Sequence, residues 1–332
     1  MERNDRLNRR CDGYNHLETV SQPAYGGPNG PRERVLKPLV LTVWNDAYAT
    51  DAASTNSTSK QRLVVNLASA AGLIDLLSVP FDEDATWTDI AAVHDPAFVE
   101  AVRTGQPRHL AQSQGFTWSS AFADAVARIW SGHIAACRAA LPAGMVLHPV
   151  SGAHHAGYAR GSGFCTFNFL VGAARAMVQG GAGRQAIVDL DAHPGDGTYA
   201  LTRGDHAIAL FDIAGASWGD VRNDHRVEYR VARDAAGYRE ALHRLPAFLD
   251  RVRPALVQYQ AGMDPFEDDP VGGIDGITEA FLIERDRFVI EQARARGIPL
   301  VVNLAGGYVR GVSERLHVNT IRAMTSPVTP RP

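Results

Sequence analysis

Residues 186–197 read AIVDLDAHPGDG. An apolar run ends in a cluster of Asp, His and Gly, which is typical of a buried parallel strand whose carboxyl end opens into a loop. Similar apolar runs recur at 38–44, 145–150, 207–213, 255–262 and 299–307. They alternate with segments of helical periodicity at 119–141, 169–181, 234–253 and 278–297. The alternation predicts an α/β domain with a central, mainly parallel sheet.

Chemically active residues follow four of these runs at the points where the strands end. They are SGAHHAGYARGSGFC at 151–165, DAHPGDG at 191–197, MDPFEDDP at 263–270 and AGGY at 305–308. In open α/β sheets, ligands bind outside the carboxyl ends of the strands. The sequence therefore predicts one composite site built from four strand ends.

Composition limits the class of protein. The 332 residues are 45% hydrophobic and 21% charged, which is ordinary for a globular chain. A net charge of -3 provides no basic field for nucleic acid, and no apolar run reaches the 18 residues that a membrane span needs. We therefore expect neither nucleic acid nor a membrane as a partner. Three scattered cysteines favour a reducing cytoplasm over a disulfide framework.

The ends of the chain differ from its middle. Residues 1–36 mix both signs of charge with Gly and Pro and contain no apolar segment, so they predict a flexible N-terminal extension. Residues 325–332 form a similar polar tail. The domain itself is predicted to span residues 37–324.

Asp191 and His193 are candidate metal ligands. They lie two residues apart at a strand end, so their side chains project to the same side if the extended geometry persists. A third ligand must come from another segment, and Asp264 follows a second apolar run. Two carboxylates and one imidazole suit zinc or another divalent first-row ion, with positions left open for water and substrate. The short motif alone is equally compatible with a polar strand end.

Further titratable groups surround this motif. His154 and His155 are adjacent, and Asp189 and Asp196 flank the Asp-x-His pair. Carboxylates in such places can orient imidazoles through the second ring nitrogen. Tyr308 follows two glycines, and its hydroxyl could donate to a developing oxyanion. The cluster favours an acid–base apparatus, although each residue taken singly fits an ordinary packing role.

The four motifs together resemble the histone deacetylase superfamily, which includes acetylpolyamine amidohydrolases. The likeness extends from about residue 38 to about 322, and VHDPAFVEAVRTG at 93–105 contributes to it. DLDAH and GMDPFEDDPVGG are most similar to class IV members and their bacterial relatives. The resemblance implies a single-domain, three-layer α/β/α arginase-like fold and one zinc ion. It also implies hydrolysis of an acyl amide, with the acyl group on lysine or on another amine.

The family pattern assigns a role to each matching position. It makes Asp191, His193 and Asp264 the zinc ligands. It gives the acid–base and oxyanion roles to His154, His155, Asp189, Asp196 and Tyr308. It lines the acyl-lysine tunnel with Gly163, Phe164 and Cys165, and more loosely with Trp218. It also implies a structural potassium ion near Asp189, Asp191, His193 and Asp212.

Two rival interpretations remain open at this stage. A two-metal ureohydrolase on the related arginase fold would need further carboxylates, but Gly195 and Gly262 stand where they would be expected. A non-catalytic zinc or acyl binder would retain the fold without turnover, yet every implied catalytic residue is present. Neither composition nor motif distinguishes an acyl-lysine protein from an acetylated polyamine or a small N-acyl amide as the substrate, and the oligomeric state cannot be inferred.

Overall fold

The described part of the chain is built around one parallel sheet. The computed structural model describes residues 39–50, 58–217 and 221–326, which fall within one unit, Lys37–Pro332. Its strands are β1 Val40–Val43, β2 Ile74–Leu77, β3 Met145–Leu147, β4 Gln185–Asp189, β5 Ile208–Ala214, β6 Val227–Val231, β7 Leu256–Gln260 and β8 Leu300–Asn303. Their order is β2-β1-β3-β8-β7-β4-β5-β6, and every pairing is parallel. The predicted parallel α/β sheet is confirmed.

Helices connect the strands and cover the sheet. They are α1 Lys60–Ala70, α2 Glu83–Ala91, α3 Pro96–Thr104, α4 Arg108–Ala111, α5 Ser120–Ala143, α6 Phe169–Gln179, α7 Asp196–Thr202, α8 Ala235–Leu242, α9 Leu245–Val252, α10 Glu279–Ala295 and α11 Val312–Met324. One layer centres on α5, which contacts α2, α3 and α6; in the other, α10 contacts α9 and α11, and α11 contacts α1. The three-layer α/β/α arrangement is therefore confirmed. None of the helices described is both long and apolar enough to span a membrane.

Local sequence explains most element boundaries. Ser119 caps α5 and Thr278 caps α10, each by accepting a hydrogen bond from a backbone N–H of the first turn. The single helix predicted for 234–253 is wrong, because α8 ends at Leu242 and α9 begins at Leu245. Pro246 lies in the first turn of α9, where its missing N–H costs no hydrogen bond.

The sheet order places the predicted site at its centre. Strands β3, β8, β7 and β4 are consecutive neighbours, and they are the four that precede the chemically active loops. All five residues of both β4 and β7 are buried, which anchors these loops firmly. The edge strands β2 and β6 lie away from the site.

The predicted extension at 1–36 and residues 327–332 of the predicted tail lie outside the described residues. Thr325 and Ser326 still belong to the described turn after α11.

Candidate active site

Three potential metal ligands converge at the ends of β4 and β7. Nδ1 of His193 lies 3.0 Å from Oδ1 of Asp191 and 3.1 Å from Oδ2 of Asp264. One ligand atom from each residue falls within 4.8 Å of the others. The other ring nitrogen, Nε2, lies 3.2 Å from the carbonyl oxygen of Val271. Imidazoles that bind metals commonly hold their second nitrogen in this way. Among the described residues this is the one such group of three found.

The charge balance of this cluster suits a bound cation. Asp191 and Asp264 are almost fully buried. Burial, and then the charge of Asp191, raises the pKa of Asp264 to about 7. Burial opposes a charge on His193, but hydrogen bonds to both carboxylates raise its pKa to about 11. Two buried acidic groups in direct contact with one imidazole therefore form a cluster in which a cation would offset the cost of burying the charge of the carboxylates.

Close backbone approach shapes the same cluster. Gly306 donates its N–H to Oδ2 of Asp191 at 2.9 Å. A Cβ at this position would lie 2.3 Å from Oδ2 of Asp264, so only glycine fits. At Gly262 a Cβ would lie 2.7 Å from Cα of Asp191. A carboxylate for a second metal has no room there, which counts against the two-metal rival.

Two histidine–aspartate pairs adjoin the ligands. Nδ1 of His154 lies 2.9 Å from Oδ2 of Asp189, and Nδ1 of His155 lies 2.6 Å from Oδ1 of Asp196. The two imidazole centroids are 4.0 Å apart. Because each Nδ1 faces a carboxylate, each Nε2 is left to face away from it.

The two pairs differ in environment. The carboxylate of Asp189 is almost fully buried, whereas the side chain of Asp196 is 41% exposed. Burial, and then the neighbouring His154, lowers the pKa of His155, while its bond to Asp196 acts in the opposite direction. Burial would raise the pKa of Asp196, but the hydrogen bond from His155 lowers it. A neutral His155 beside an ionised Asp196 can accept a proton.

The Gly-Phe-Cys segment lies between two cavities. Gly163, Phe164 and Tyr308 border both of them. His155, His193 and Asp196 border one cavity, whereas His154 and Asp191 border the other. The second cavity continues to apolar residues of α5, which are Ala125, Val126, Ile129 and Trp130. The buried thiol of Cys165 also lines it, and burial raises the pKa of that thiol, so the sulfur stays protonated.

The loop that carries Tyr308 is held by residues that sequence reasoning missed. Lys60 on α1 is 1% exposed, and its Nζ donates to the carbonyls of Ala305 at 2.6 Å and Gly307 at 3.3 Å. Oδ2 of Asp269 accepts from the N–H of Tyr308 at 2.7 Å. The one available signal for Lys60 was rarity, since Lys37 is the only other lysine in a chain with 33 basic residues. Arg62, also on α1, donates to the main-chain carbonyls of Asp46 and Ala49.

Unusual backbone conformations concentrate in these loops. Of the four described non-glycine residues with positive φ, three are Ala153, Phe164 and Ala305. Each adjoins a catalytic candidate or a cavity wall. Such conformations cost about 1–3 kcal/mol each and persist where the surrounding structure enforces them.

Asp212 on β5 lies behind the ligand loop. Its Oδ2 accepts from the N–H of Gly195 at 2.8 Å, while its buried Oδ1 has no hydrogen-bond partner among the described residues. Burial, and then the charge of Asp189, raises the pKa of Asp212 well above its usual range. Trp218, the loosest of the predicted tunnel residues, lies outside the described residues.

Comparison with known proteins agrees with this geometry. The family model described as "Histone deacetylase domain" matches residues 54–324. The chain belongs to the histone deacetylase domain family. Because the match includes all of these site loops, the predicted superfamily is confirmed, and with it a hydrolase of the deacetylase type.

Individual relatives differ in how much of this chain they match. An uncharacterized protein of Picosynechococcus is 32% identical over 79% of this chain and 89% of its own length. Histone deacetylase 2 of Arabidopsis thaliana is 30% identical over 58% of this chain, and the match spans 52% of that protein. Acetylpolyamine amidohydrolase of Mycoplana ramosa is 29% identical over 60% of each chain. These names include both protein and polyamine deacetylases, so the class IV likeness stays a prediction.

Proposed function

We propose that this protein is a zinc-dependent amide hydrolase that removes an acyl group, acetyl first, from a lysine side chain or another amine. The observation that carries the proposal is the placement of two His–Asp pairs beside Asp191, His193 and Asp264 in a chain of the deacetylase family. Neither pair would be needed beside a purely structural ion.

Zinc fits this donor set. Two carboxylate oxygens and one imidazole nitrogen are a usual combination for catalytic zinc, and three protein ligands leave room for water and substrate. The contacts of His193 with both buried carboxylates support a cluster suited to a bound cation. When bound, zinc would supply Lewis acidity and lower the pKa of a water molecule.

His155 is the proposed general base. Its lowered pKa keeps the ring available as a proton acceptor, and Asp196 holds its Nδ1 proton so that Nε2 faces the reaction. After the tetrahedral stage, the same nitrogen would return the proton to the leaving amine. His154, held by buried Asp189, would contribute orientation and charge.

Tyr308 is the proposed oxyanion donor. Burial raises the pKa of its hydroxyl well above the usual range, so the proton stays in place to be donated. Lys60 and Asp269 hold the main chain that leads into this residue, including the peptide between Gly307 and Tyr308, which favours a defined direction for the hydroxyl before substrate binds. Gly163, Phe164 and Cys165 would line the path of the acylated amine.

Potassium is the proposed second cation. Asp189 and Asp212 are both buried, and Oδ1 of Asp212, which has no hydrogen-bond partner within the described part of the chain, offers a carboxylate oxygen for it. Asp191 and His193 would contribute from the adjoining loop.

We further propose a cytoplasmic location, which the free, buried thiols of Cys137 and Cys165 support.

Metal analysis paired with a turnover assay tests the proposal. The substrates are acetyl-lysine peptides, longer acyl-lysines and acetylated polyamines, each with and without a chelator. We expect about one zinc per chain and chelator-sensitive release of one acyl class. Bound zinc without turnover on any substrate would contradict hydrolysis and favour an acyl-binding protein.

The variant Tyr308→Phe tests the oxyanion role. We expect kcat to fall about 100-fold to 1,000-fold with zinc content unchanged, as for the loss of one oxyanion donor. Tyr158→Phe is the matched control, because Tyr158 is 56% exposed. Full activity in Tyr308→Phe would remove this residue from the mechanism.

A further inference from the structure

Helix α10 buries a charged pair directly behind the proposed metal ligands. Arg285 is 0% exposed and Asp286 is 1% exposed. Taking a guanidinium out of water costs several kcal/mol unless partners replace the solvent. Its position in the interior therefore calls for a set of specific contacts.

Hydrogen bonds within the pair and from neighbouring side chains replace the lost solvent. Nε and Nη2 of Arg285 lie 2.9 Å and 2.8 Å from Oδ1 of Asp286. The same oxygen accepts from the hydroxyl of Tyr259 at 2.5 Å, and Oδ2 accepts from Thr320 at 2.5 Å. The ion pair is thus neutral as a unit and is fixed from β7 and α11.

The remaining nitrogen of Arg285 connects the two ligand loops. Nη1 donates to the carbonyl of Leu190 at 3.1 Å and to that of Gly262 at 2.7 Å. Leu190 immediately precedes Asp191, and Gly262 lies two residues before Asp264. One nitrogen therefore spans the ends of β4 and β7 at the point where each chain turns toward its carboxylate.

We propose that Arg285 is a positioning residue that holds the Asp191 and Asp264 loops at the spacing a metal ion requires. The inference rests on the metal site proposed above. His193 and the N–H of Ala192 already connect the two loops through the carboxylate oxygens. The shared guanidinium contact adds a connection between the main chains that precede the two carboxylates, and so helps to set the distance between the loops. It thereby makes part of the binding geometry independent of the ion itself.

The test compares zinc affinity with folding. In Arg285→Met/Asp286→Asn the charged pair is removed together, so no buried charge is left alone, and the Asn amide can still accept from Tyr259 or Thr320. We expect the zinc dissociation constant, measured by chelator competition, to rise about 10-fold to 100-fold. The thermal midpoint of the metal-free protein should fall, because the carbonyls of Leu190 and Gly262 lose the donor on Arg285; zinc affinity is therefore measured well below that midpoint, where the variant is folded. The absorption spectrum of bound Co²⁺ should change. Arg287→Met, at an exposed position two residues along α10, is the matched control.

The outcomes separate this inference from the proposed activity. Unchanged zinc affinity in a folded double variant would overturn the positioning role and leave the hydrolase proposal intact. A wild type that binds zinc but hydrolyses nothing would do the reverse, and a wild type that binds no zinc would overturn both. Should the double variant not fold, Arg285→Lys replaces it, because lysine keeps the charge beside Asp286 but cannot reproduce the forked contacts. Its zinc affinity should fall about tenfold, and an unchanged value would again overturn the role.

Discussion

Replacing Gly163 by alanine should disable the proposed base without touching the metal ligands. A Cβ built at this position lies 2.4 Å from Cδ2 of His155, whereas ordinary contacts begin near 3.4 Å. The imidazole must therefore retreat by about 1 Å. It cannot do so freely, because Asp196 holds its Nδ1 at 2.6 Å and His154 packs against it at a centroid distance of 4.0 Å.

The expected size of the effect follows from that displacement. A misplacement of about 1 Å in a catalytic group can cost about 100-fold in rate, which corresponds to about 2.7 kcal/mol in the activation barrier. Gly163 also has a φ of 50°, so alanine adds roughly 1–2 kcal/mol of backbone strain to the folded state. We expect kcat to fall about 100-fold while zinc content stays at the wild-type value.

Steady-state kinetics on the best acyl substrate, with zinc content and thermal unfolding measured on the same preparation, check this prediction. Gly181→Ala is the matched control: its φ is 82° and nothing lies within 4 Å of the added Cβ, so it carries the strain without the clash. If Gly163→Ala keeps a kcat within about threefold of Gly181→Ala, the position of His155 does not limit the reaction and our assignment of the base is refuted.

Two further predictions concern charged groups around the site. Asp196→Asn should lower the pKa of His155 further, because the carboxylate of Asp196 raises that pKa in the wild type. The acid limb of the kcat/KM profile should therefore move to lower pH, and kcat should fall at least about tenfold. A shift of the acid limb to higher pH would contradict the pairing. Burial lowers the pKa of Lys60 from 10.5 to about 8, so the unfolded chain binds the extra proton between these values. Lys60 therefore adds a positive slope to the unfolding free energy of the metal-free protein as pH increases from about 8 to about 10.5, whereas His193, with its pKa raised to about 11, adds a negative slope over the same range. Lys60→Arg should remove only the positive contribution, so the wild-type unfolding free energy should rise relative to that of the variant; equal slopes in urea titrations of the two proteins would refute it.

The sequence predicted the central strands well because burial on both faces imposes an unbroken apolar pattern. This pattern predicted strands at residues 186–190 and 255–260, and the structure places β4 and β7 there. The edge strands could not be predicted from such a pattern. In β2, the exposed Asp75 interrupts the apolar residues Ile74, Leu76 and Leu77, so the strand lacks the unbroken apolar pattern of the central strands, and its pairing with β1 identifies it.

In the candidate site, too, some residues could be predicted from local sequence and others could not. Motifs predicted the groups that face the reaction, since Asp191, His193 and the tandem histidines occur within short, recognisable stretches. The residues that hold those groups occur singly on distant helices. Lys60 lies 245 residues before Ala305, whose carbonyl it binds, and Arg285 lies 95 residues after Leu190. No local pattern can link positions so far apart, so these contacts emerge only from the folded chain.

The two buried cations, Lys60 and Arg285, are both donors to main-chain carbonyls near the metal-ligand loops. Lys60 binds carbonyls on either side of Gly306, and Arg285 binds carbonyls that precede the two carboxylate ligands. Main-chain carbonyls at strand ends have no sheet partner, and burying them unpaired would cost about 1–3 kcal/mol each. An amide side chain offers two neutral donors, whereas lysine offers three and arginine five, and their charge strengthens each hydrogen bond. Lys60 also interacts with the charges of Asp191 and Asp264, whereas the charge of Arg285 is balanced by Asp286. A substitution at Lys60 should therefore disturb both the loop geometry and the electrostatics of the site, and a substitution of the Arg285–Asp286 pair should disturb the loop geometry.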